Sequence, residues 1–250
     1  MIRFFAFFFS LICVCGNAAE SYPAGSVRAL LIDIEGTISS PAFSKNILCP
    51  YAEEHFREYV SSHLSDPEVY KAFQQARKIT GRPFGNVDSV LKTLEAWFRE
   101  GKKCAPLSLL LTKVWEQGYT HGDIQGHLYR DAYLALRAWR MRAIPLYVYS
   151  SQCEAEQRLL LFHSMYGNLA SYFEQFFDPS IGKKTERSSY LAAAEAMGLE
   201  PSQILFLSDS RAELKAAESA GMQVLMICRD GAIACPSLRS AASFEDIDLQ

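Results

Sequence analysis

The 250-residue sequence is 49% hydrophobic and 21% charged, with a formal net charge of −3. That is enough apolar material to bury a core in one large domain or two small ones. The charge balance excludes a bulk basic surface for nucleic acid or anionic lipid, and neither internal repeats nor low-complexity tracts are present.

Residues 1–19 stand apart from the rest. Arg3 precedes an apolar run over 4–15, followed by Gly16-Asn17-Ala18-Ala19. A positive start, a short apolar centre and a small-residue exit describe a secretory signal peptide. The run is too short for a membrane-spanning helix, which needs about 20 residues. An uncleaved anchor or a start codon placed too far upstream would leave the same pattern. Any membrane association is therefore expected only through 1–19. Outside the leader, Cys49, Cys104, Cys153, Cys228 and Cys235 form no C-x-x-C pair. Their odd number and scatter favour a reducing compartment, which pulls against export.

The first strand signal is the apolar run 27–32, broken by Arg28. It ends in Asp33-Ile34-Glu35-Gly36-Thr37. It reads as a short buried strand with a carboxylate at its C-terminal end, followed by a turn. From 42 to 135 the pattern turns helical. Apolar residues recur at helical spacing at 51, 52, 56, 59 and 60, and again at 87, 90, 91, 94, 97 and 98. A further apolar helix is expected over 107–115, a glycine-rich turn over 118–126, and a helix over 131–139. This block reads as a helical bundle inserted into a larger fold. His121 and His127 in the turn lack the helical spacing of a zinc pair, so surface or hinge roles are expected for them.

Strands return at 144–149, ending in Ser150-Ser151, and at 204–207, ending in Ser208-Asp209. A further strand is expected at 224–228, and 173–177 is a short apolar stretch. Helices are expected over 154–164, 188–197 and 211–220. Strands alternating with helices imply a Rossmann-like, doubly wound parallel α/β sheet. The core would comprise 26–41 and 136–250, and the helical cap 42–135.

Ligands of such sheets bind outside the carboxyl ends of the strands. Asp33 with Glu35, Ser150 with Ser151, Lys184, and Asp209 with Glu213 fall at or near those ends. Together they fit phosphoryl transfer to a carboxylate nucleophile. Lys184, Ser150 and backbone N–H groups would offset the charge on phosphorus-bound oxygens. The cluster of Asp33, Glu35 and Asp209 would repel phosphate unless a hard cation such as Mg²⁺ bridges them. Glu35 could protonate the leaving oxygen and then activate water. Each residue also has a structural reading: the serines as turn or cap residues, Lys184 as a solvated neighbour of Lys183, and Asp209 as a cap for the next helix.

The order Asp33-Ile34-Glu35-Gly36-Thr37, strand–Ser150, Lys184, strand–Ser208-Asp209 resembles the haloacid-dehalogenase-type phosphatases. Glu35, where most of that superfamily has Asp, resembles one branch, the enolase-phosphatases of methionine salvage (acireductone synthases). Leu146-Tyr147-Val148-Tyr149-Ser150-Ser151, Ile181-Gly182-Lys183-Lys184-Thr185-Glu186 and Ile204-Leu205-Phe206-Leu207-Ser208-Asp209 with Glu213 match its further motifs, and Gly126-His127-Leu128-Tyr129 the end of its cap.

The resemblance implies an Mg²⁺-dependent cytoplasmic enzyme, expected to be monomeric. Its substrate would be 2,3-diketo-5-methylthiopentyl 1-phosphate, which it enolises and then dephosphorylates through a phosphoaspartate. Asp33 and Glu35 would be catalytic. Ser150, Ser151 and Lys184 would bind substrate, Asp33, Glu35 and Asp209 would hold metal, and Glu213 would support them. The sequence departs from the family at Ile38-Ser39, where threonines are usual, and at Gln152-Cys153, where the family has Gly-Ser. The leader is a third departure. An exported phosphatase for other small phosphate esters is the alternative with the same fold. A non-enzymatic phospho-acceptor domain is disfavoured, because the long stretch from Asp33 to Ser150 leaves room for a cap.

Overall fold

The computed structural model describes residues 20–23, 25–81, 86–229 and 238–249. The leader and Cys235 lie outside them. Among the described residues no helix is long and apolar enough to cross a membrane.

A six-stranded, all-parallel sheet forms the centre. Its strands are β2 (Ala29–Ile32), β3 (Leu146–Tyr149), β4 (Phe173–Phe177), β5 (Ile204–Ser208), β6 (Gln223–Ile227) and β7 (Ser240–Ala241), in the order β4-β3-β2-β5-β6-β7. A separate parallel pair joins β1 (Glu20–Tyr22) to β8 (Ile247–Leu249). The chain grows outward from β2 through β3 to β4, then returns to the other side of β2 for β5. The order reverses between β2 and β5, which is where such sheets open a crevice.

Register places the site. Ile32 is opposite both Val148 and Leu207, so Asp33, Ser150 and Asp209 all emerge at one edge. Backbone bonds extend the ladder past the strand ends: Asp33 N–H to Leu207 O and Ser150 N–H to Phe177 O. Both faces are covered, as a parallel sheet requires. Leu30, Ile32, Val148, Leu205 and Leu207 pack on one side with Leu136 and Trp139 of α6 (Arg130–Met141) and Leu160 and Leu161 of α7 (Glu154–Phe162). Leu31, Tyr149, Ile204 and Phe206 pack on the other with Tyr190 of α8 (Arg187–Met197) and Leu214 of α9 (Arg211–Ser219).

Between β2 and α6 the chain leaves the sheet. The short α1 (Pro41–Phe43) runs through a π-helical turn, Ser44–Leu48, into α2 (Cys49–Ser62). It continues through α3 (Pro67–Ile79), α4 (Val87–Arg99) and α5 (Ala105–His121). These helices bury their own core, with Phe56, Val60, Phe73, Leu91, Leu94, Leu110 and Val114 among its members. Arg57 of α2 bonds Glu95 of α4 through two nitrogens, at 2.8 and 2.7 Å.

One expectation for this insert needs correction, at Gly118. Within the expected helical block lies α3, whose bounds the sequence pattern did not delimit. Asp66 caps it, accepting from the N–H groups of Glu68 and Val69, and Pro67 starts it. Gly118 falls inside α5 rather than in a turn. It is buried, and a Cβ there would come within 2.7 Å of the Tyr51 ring and of Ile124, so glycine serves close packing. The glycine that ends the helix is Gly122, at φ 83°. His127 lies where the chain returns to the sheet, and its Nδ1 accepts the Ser40 N–H at 3.1 Å.

Candidate active site

Asp33 is buried at the end of β2 and bonded on both oxygens. Lys184 Nζ donates to Oδ1 at 2.5 Å and Thr37 Oγ to Oδ2 at 3.2 Å. The same threonine hydroxyl accepts the Asp209 backbone N–H at 3.1 Å, so one buried side chain ties the two strand ends together. Gly36 has φ 82°, and a Cβ there would overlap the Asp209 carboxylate. Glycine is needed at that position both for the turn and for the approach of Asp209.

Lys184 also pairs with Glu213 Oε2 at 2.6 Å, and Glu213 accepts from Ser208 Oγ at 3.1 Å. Burial works against the ammonium, but Asp33 and Glu213 outweigh it and hold the Lys184 pKa above its ordinary value. The lysine loop is clamped by three hydroxyls. Tyr190 donates to Lys184 O, Ser189 to Lys183 O, and Tyr149 to Gly182 O. Lys183 points out to solvent and pairs with Glu186 on the surface.

Asp209 presents its carboxylate at the open side of the site. The surrounding protein, and next the charge of Asp33, push its pKa up to about 6. Ser150 is buried, and its Oγ accepts the Gln152 N–H. Ser151 is exposed and lines a chamber of about 1270 Å³ between the insert and the sheet edge. Glu35 lines it too, together with Leu48, Phe98, Leu107 and Trp115. Burial raises the Glu35 pKa, and a bond from Ser44 in the π-helical turn partly offsets that.

The grouping of three carboxylates around one cation is not assembled. Among the described residues no three His, Cys, Asp or Glu side chains lie close enough to share an ion. Asp33 is taken up by Lys184 and Thr37, while Glu35 lines the chamber beside Ser44 and Leu48 of the π-helical turn. Asp33 and Asp209 remain together beside Gly36. A two-carboxylate oxygen set suits Mg²⁺, which is commonly held by one or two carboxylates plus water and substrate phosphate.

Residues 27–221 match the model of the haloacid dehalogenase-like hydrolases. A protein of Aquifex aeolicus named enolase-phosphatase E1 is 38% identical over 223 residues, covering 89% of this chain and all of its own length. One of the same name from Thioalkalivibrio sulfidiphilus is 43% identical over 206 residues, covering 82% of this chain and 91% of itself. The chain belongs to the enolase-phosphatase E1 family. Among solved structures, the UTR4 protein of Saccharomyces cerevisiae superposes with a TM-score of 0.75 at 28% identity, covering 88% of this chain and 99% of its own.

Against this family background, two groups stand out that sequence reasoning did not single out. Thr37 is one: it ends the Asp33-Ile34-Glu35-Gly36-Thr37 motif, which by itself gives its hydroxyl no role. The other lies in the chamber wall, where Thr112 of α5 donates to Glu156 of α7 at 3.0 Å and lies 3.7 Å from Cys153 Sγ. This contact joins insert to sheet layer. Burial raises the Glu156 pKa, and the bonds from Thr112 and Cys153 and the charge of Lys103 only partly offset it. A folded-state pKa raised above the unfolded one stabilises at low pH and is lost as pH rises through it. Glu156→Gln keeps an acceptor for Thr112 and cannot ionise. Its Tm should match wild type near pH 4 and exceed it above the raised pKa, by on the order of a degree or two. Thermal unfolding across pH checks this, and a Tm advantage that shrinks as pH rises would refute it.

Proposed function

We propose that this chain enolises 2,3-diketo-5-methylthiopentyl 1-phosphate and then removes its phosphate through a phosphoaspartate on Asp33, yielding the acireductone of methionine salvage. The observation that carries this reading is the buried Asp33 held by Lys184 and Thr37, on the same strand ends whose Glu35 and Ser151 line a largely apolar chamber. An apolar wall suits a methylthio tail, and the charged strand-end cluster around Asp33 and Lys184 suits a phosphate.

In the phosphatase step Asp33 forms a bond to phosphorus as the bond to the leaving oxygen breaks. Glu35, whose raised pKa favours the protonated form, donates its proton to that oxygen. It then takes a proton from water, which attacks the acyl phosphate and frees both phosphate and Asp33. Lys184 and the Ser150 hydroxyl, with Ser151 at the chamber wall, are assigned to the phosphoryl oxygens. Glu213 holds Lys184 in place. Asp33 and Asp209 would hold Mg²⁺, which when bound offsets phosphate charge and polarises carbonyl oxygen.

A wider choice of phosphate esters is the second reading, prompted by Gln152 and Cys153, which line the chamber. Comparing kcat/KM for the diketone phosphate with a panel of simple esters separates the two. The diketone should lead the panel, and a simple ester turned over faster would favour the second reading. EDTA should abolish phosphate release, and added Mg²⁺ should restore it. Full activity in EDTA would remove the metal from the mechanism.

A further inference from the structure

Arg229 lies two residues beyond β6, at the same sheet edge as Asp33 and Asp209. Its guanidinium donates twice to the backbone carbonyl of Thr37, from Nε at 3.1 Å and from Nη2 at 2.9 Å. The third nitrogen, Nη1, pairs with Asp131 Oδ2 at 2.6 Å. Asp131 in turn accepts the Ser243 hydroxyl at 3.0 Å and the Phe244 N–H at 2.9 Å. The guanidinium plane is covered by Tyr129 at 4.2 Å and Phe244 at 5.2 Å. Arg229 and Asp131 side chains are only 13% and 16% exposed, so this is a largely buried clamp with a bond at each guanidinium nitrogen.

The clamp grips the turn that carries the reacting group. Thr37 is the residue whose hydroxyl bridges Asp33 and the Asp209 backbone. The next residue, Ile38, accepts the Tyr129 N–H through its carbonyl at 2.9 Å. Tyr129 and Asp131 belong to the segment by which the chain returns from the helical insert. Arg229 therefore fastens the nucleophile turn, the insert's return segment and the C-terminal segment around Phe244 at one point. Planar, multidentate bonding of this kind is what a lysine cannot reproduce.

We propose that Arg229 is a positioning residue for the phosphoryl-transfer step, setting the angle of Asp33 through Thr37 without touching substrate. The proposal rests on Asp33 being the nucleophile. Displacing a reacting group by about 1 Å can cost about 10²-fold. Enolisation does not use Asp33 as a nucleophile and so should tolerate the displacement better. The consequence is a changed ratio of the two half-reactions, which loss of folded protein alone cannot produce.

The test is a single-turnover time course of the diketone phosphate with Mg²⁺, following enol absorbance and free phosphate together. In Arg229→Gln, phosphate release should slow by about 10²-fold. Enol formation should slow much less, so that the enol phosphate accumulates. Arg229→Lys, with one donor group in place of a planar pair, should recover part of the loss. Equal slowing of both steps, or no slowing of either, overturns the proposal. Should Arg229→Gln fail to fold, Asp131→Asn carries the same comparison. It leaves Arg229 in place but removes its charged partner, and enol accumulation supports the proposal whereas its absence overturns it. Asp33→Asn run alongside separates the premise: phosphate released by that variant at the wild-type rate disproves the nucleophile, whatever Arg229 does.

Discussion

Asp33→Asn is expected to stop phosphate release while leaving measurable enol formation. The substitution conserves volume and leaves Thr37 an oxygen to donate to, so the turn at Gly36 should keep its shape. It removes the negative charge that Lys184 holds at 2.5 Å and the electron pair that would bond to phosphorus. Removing a nucleophile outright costs on the order of 10⁴-fold or more in comparable systems. Enolisation requires a base and an electrophile on carbonyl oxygen, not a nucleophile on phosphorus. Asp209 survives in the variant, so a weakened metal site should support residual enolisation that excess Mg²⁺ improves. Phosphate release should not respond. The assay is the joint record of enol absorbance and free phosphate. In the wild type enol should precede phosphate, because the phosphate is the substrate's main charged handle and its early loss would release the molecule. Wild-type phosphate release by Asp33→Asn, or phosphate before enol in the wild type, would contradict these roles.

Lys184→Ala should lower phosphate release by on the order of 10²-fold or more, the usual result of deleting a preorganised charge partner. Its neighbour supplies the control. Lys183 is 81% exposed and pairs on the surface with Glu186, so Lys183→Ala should change the rate by less than about twofold. Lys184→Ala should also destabilise the fold. Asp33 and Glu213 would face each other without the cation that now bonds both. Breaking a buried pair by removing one partner costs about 3–5 kcal/mol. Unpaired carboxylates have raised pKa values in the folded state, so the variant's stability should fall as pH rises. Its Tm deficit should thus be smaller near pH 5 than near pH 8. A deficit independent of pH, with an unchanged rate, would mean that Lys184 does no more than fill space.

The alternation of apolar strands ending in Asp33, Ser150 and Asp209 was readable before any coordinates, because strand ends in a parallel sheet converge by construction. The family motif singles out Lys184 over Lys183, but the physical reason is visible only in three dimensions. Both are lysines in a loop, and the choice is made by Tyr149, Ser189 and Tyr190, which fix the loop's carbonyls. The helix Pro67–Ile79 carries an adequate signal in Asp66-Pro67-Glu68 and in apolar Val69, Ala72, Phe73 and Ala76. Gly118 misled in the other direction, since a glycine that serves helix packing looks locally like a helix breaker. Glu35 was grouped with Asp33 and Asp209 on strand-end placement, but among the described residues the three do not come close enough to share an ion, and Glu35 lines the chamber instead. Thr37 was visible as the end of the first motif, but its bond to the Asp209 backbone 172 positions away was not, and Arg229, bonded to a carbonyl 192 positions away, leaves no local pattern.

The most direct measurement is the capture of the covalent intermediate. Enzyme, Mg²⁺ and the diketone phosphate would be mixed, quenched in acid during the first turnover, digested, and searched by mass spectrometry for a phosphorylated peptide. The expected result is a phosphoryl group on the peptide containing Asp33, transient in the wild type and absent from Asp33→Asn. A phosphoryl group on another residue, or phosphate release from Asp33→Asn at the wild-type rate with no phosphopeptide at any time, would contradict it.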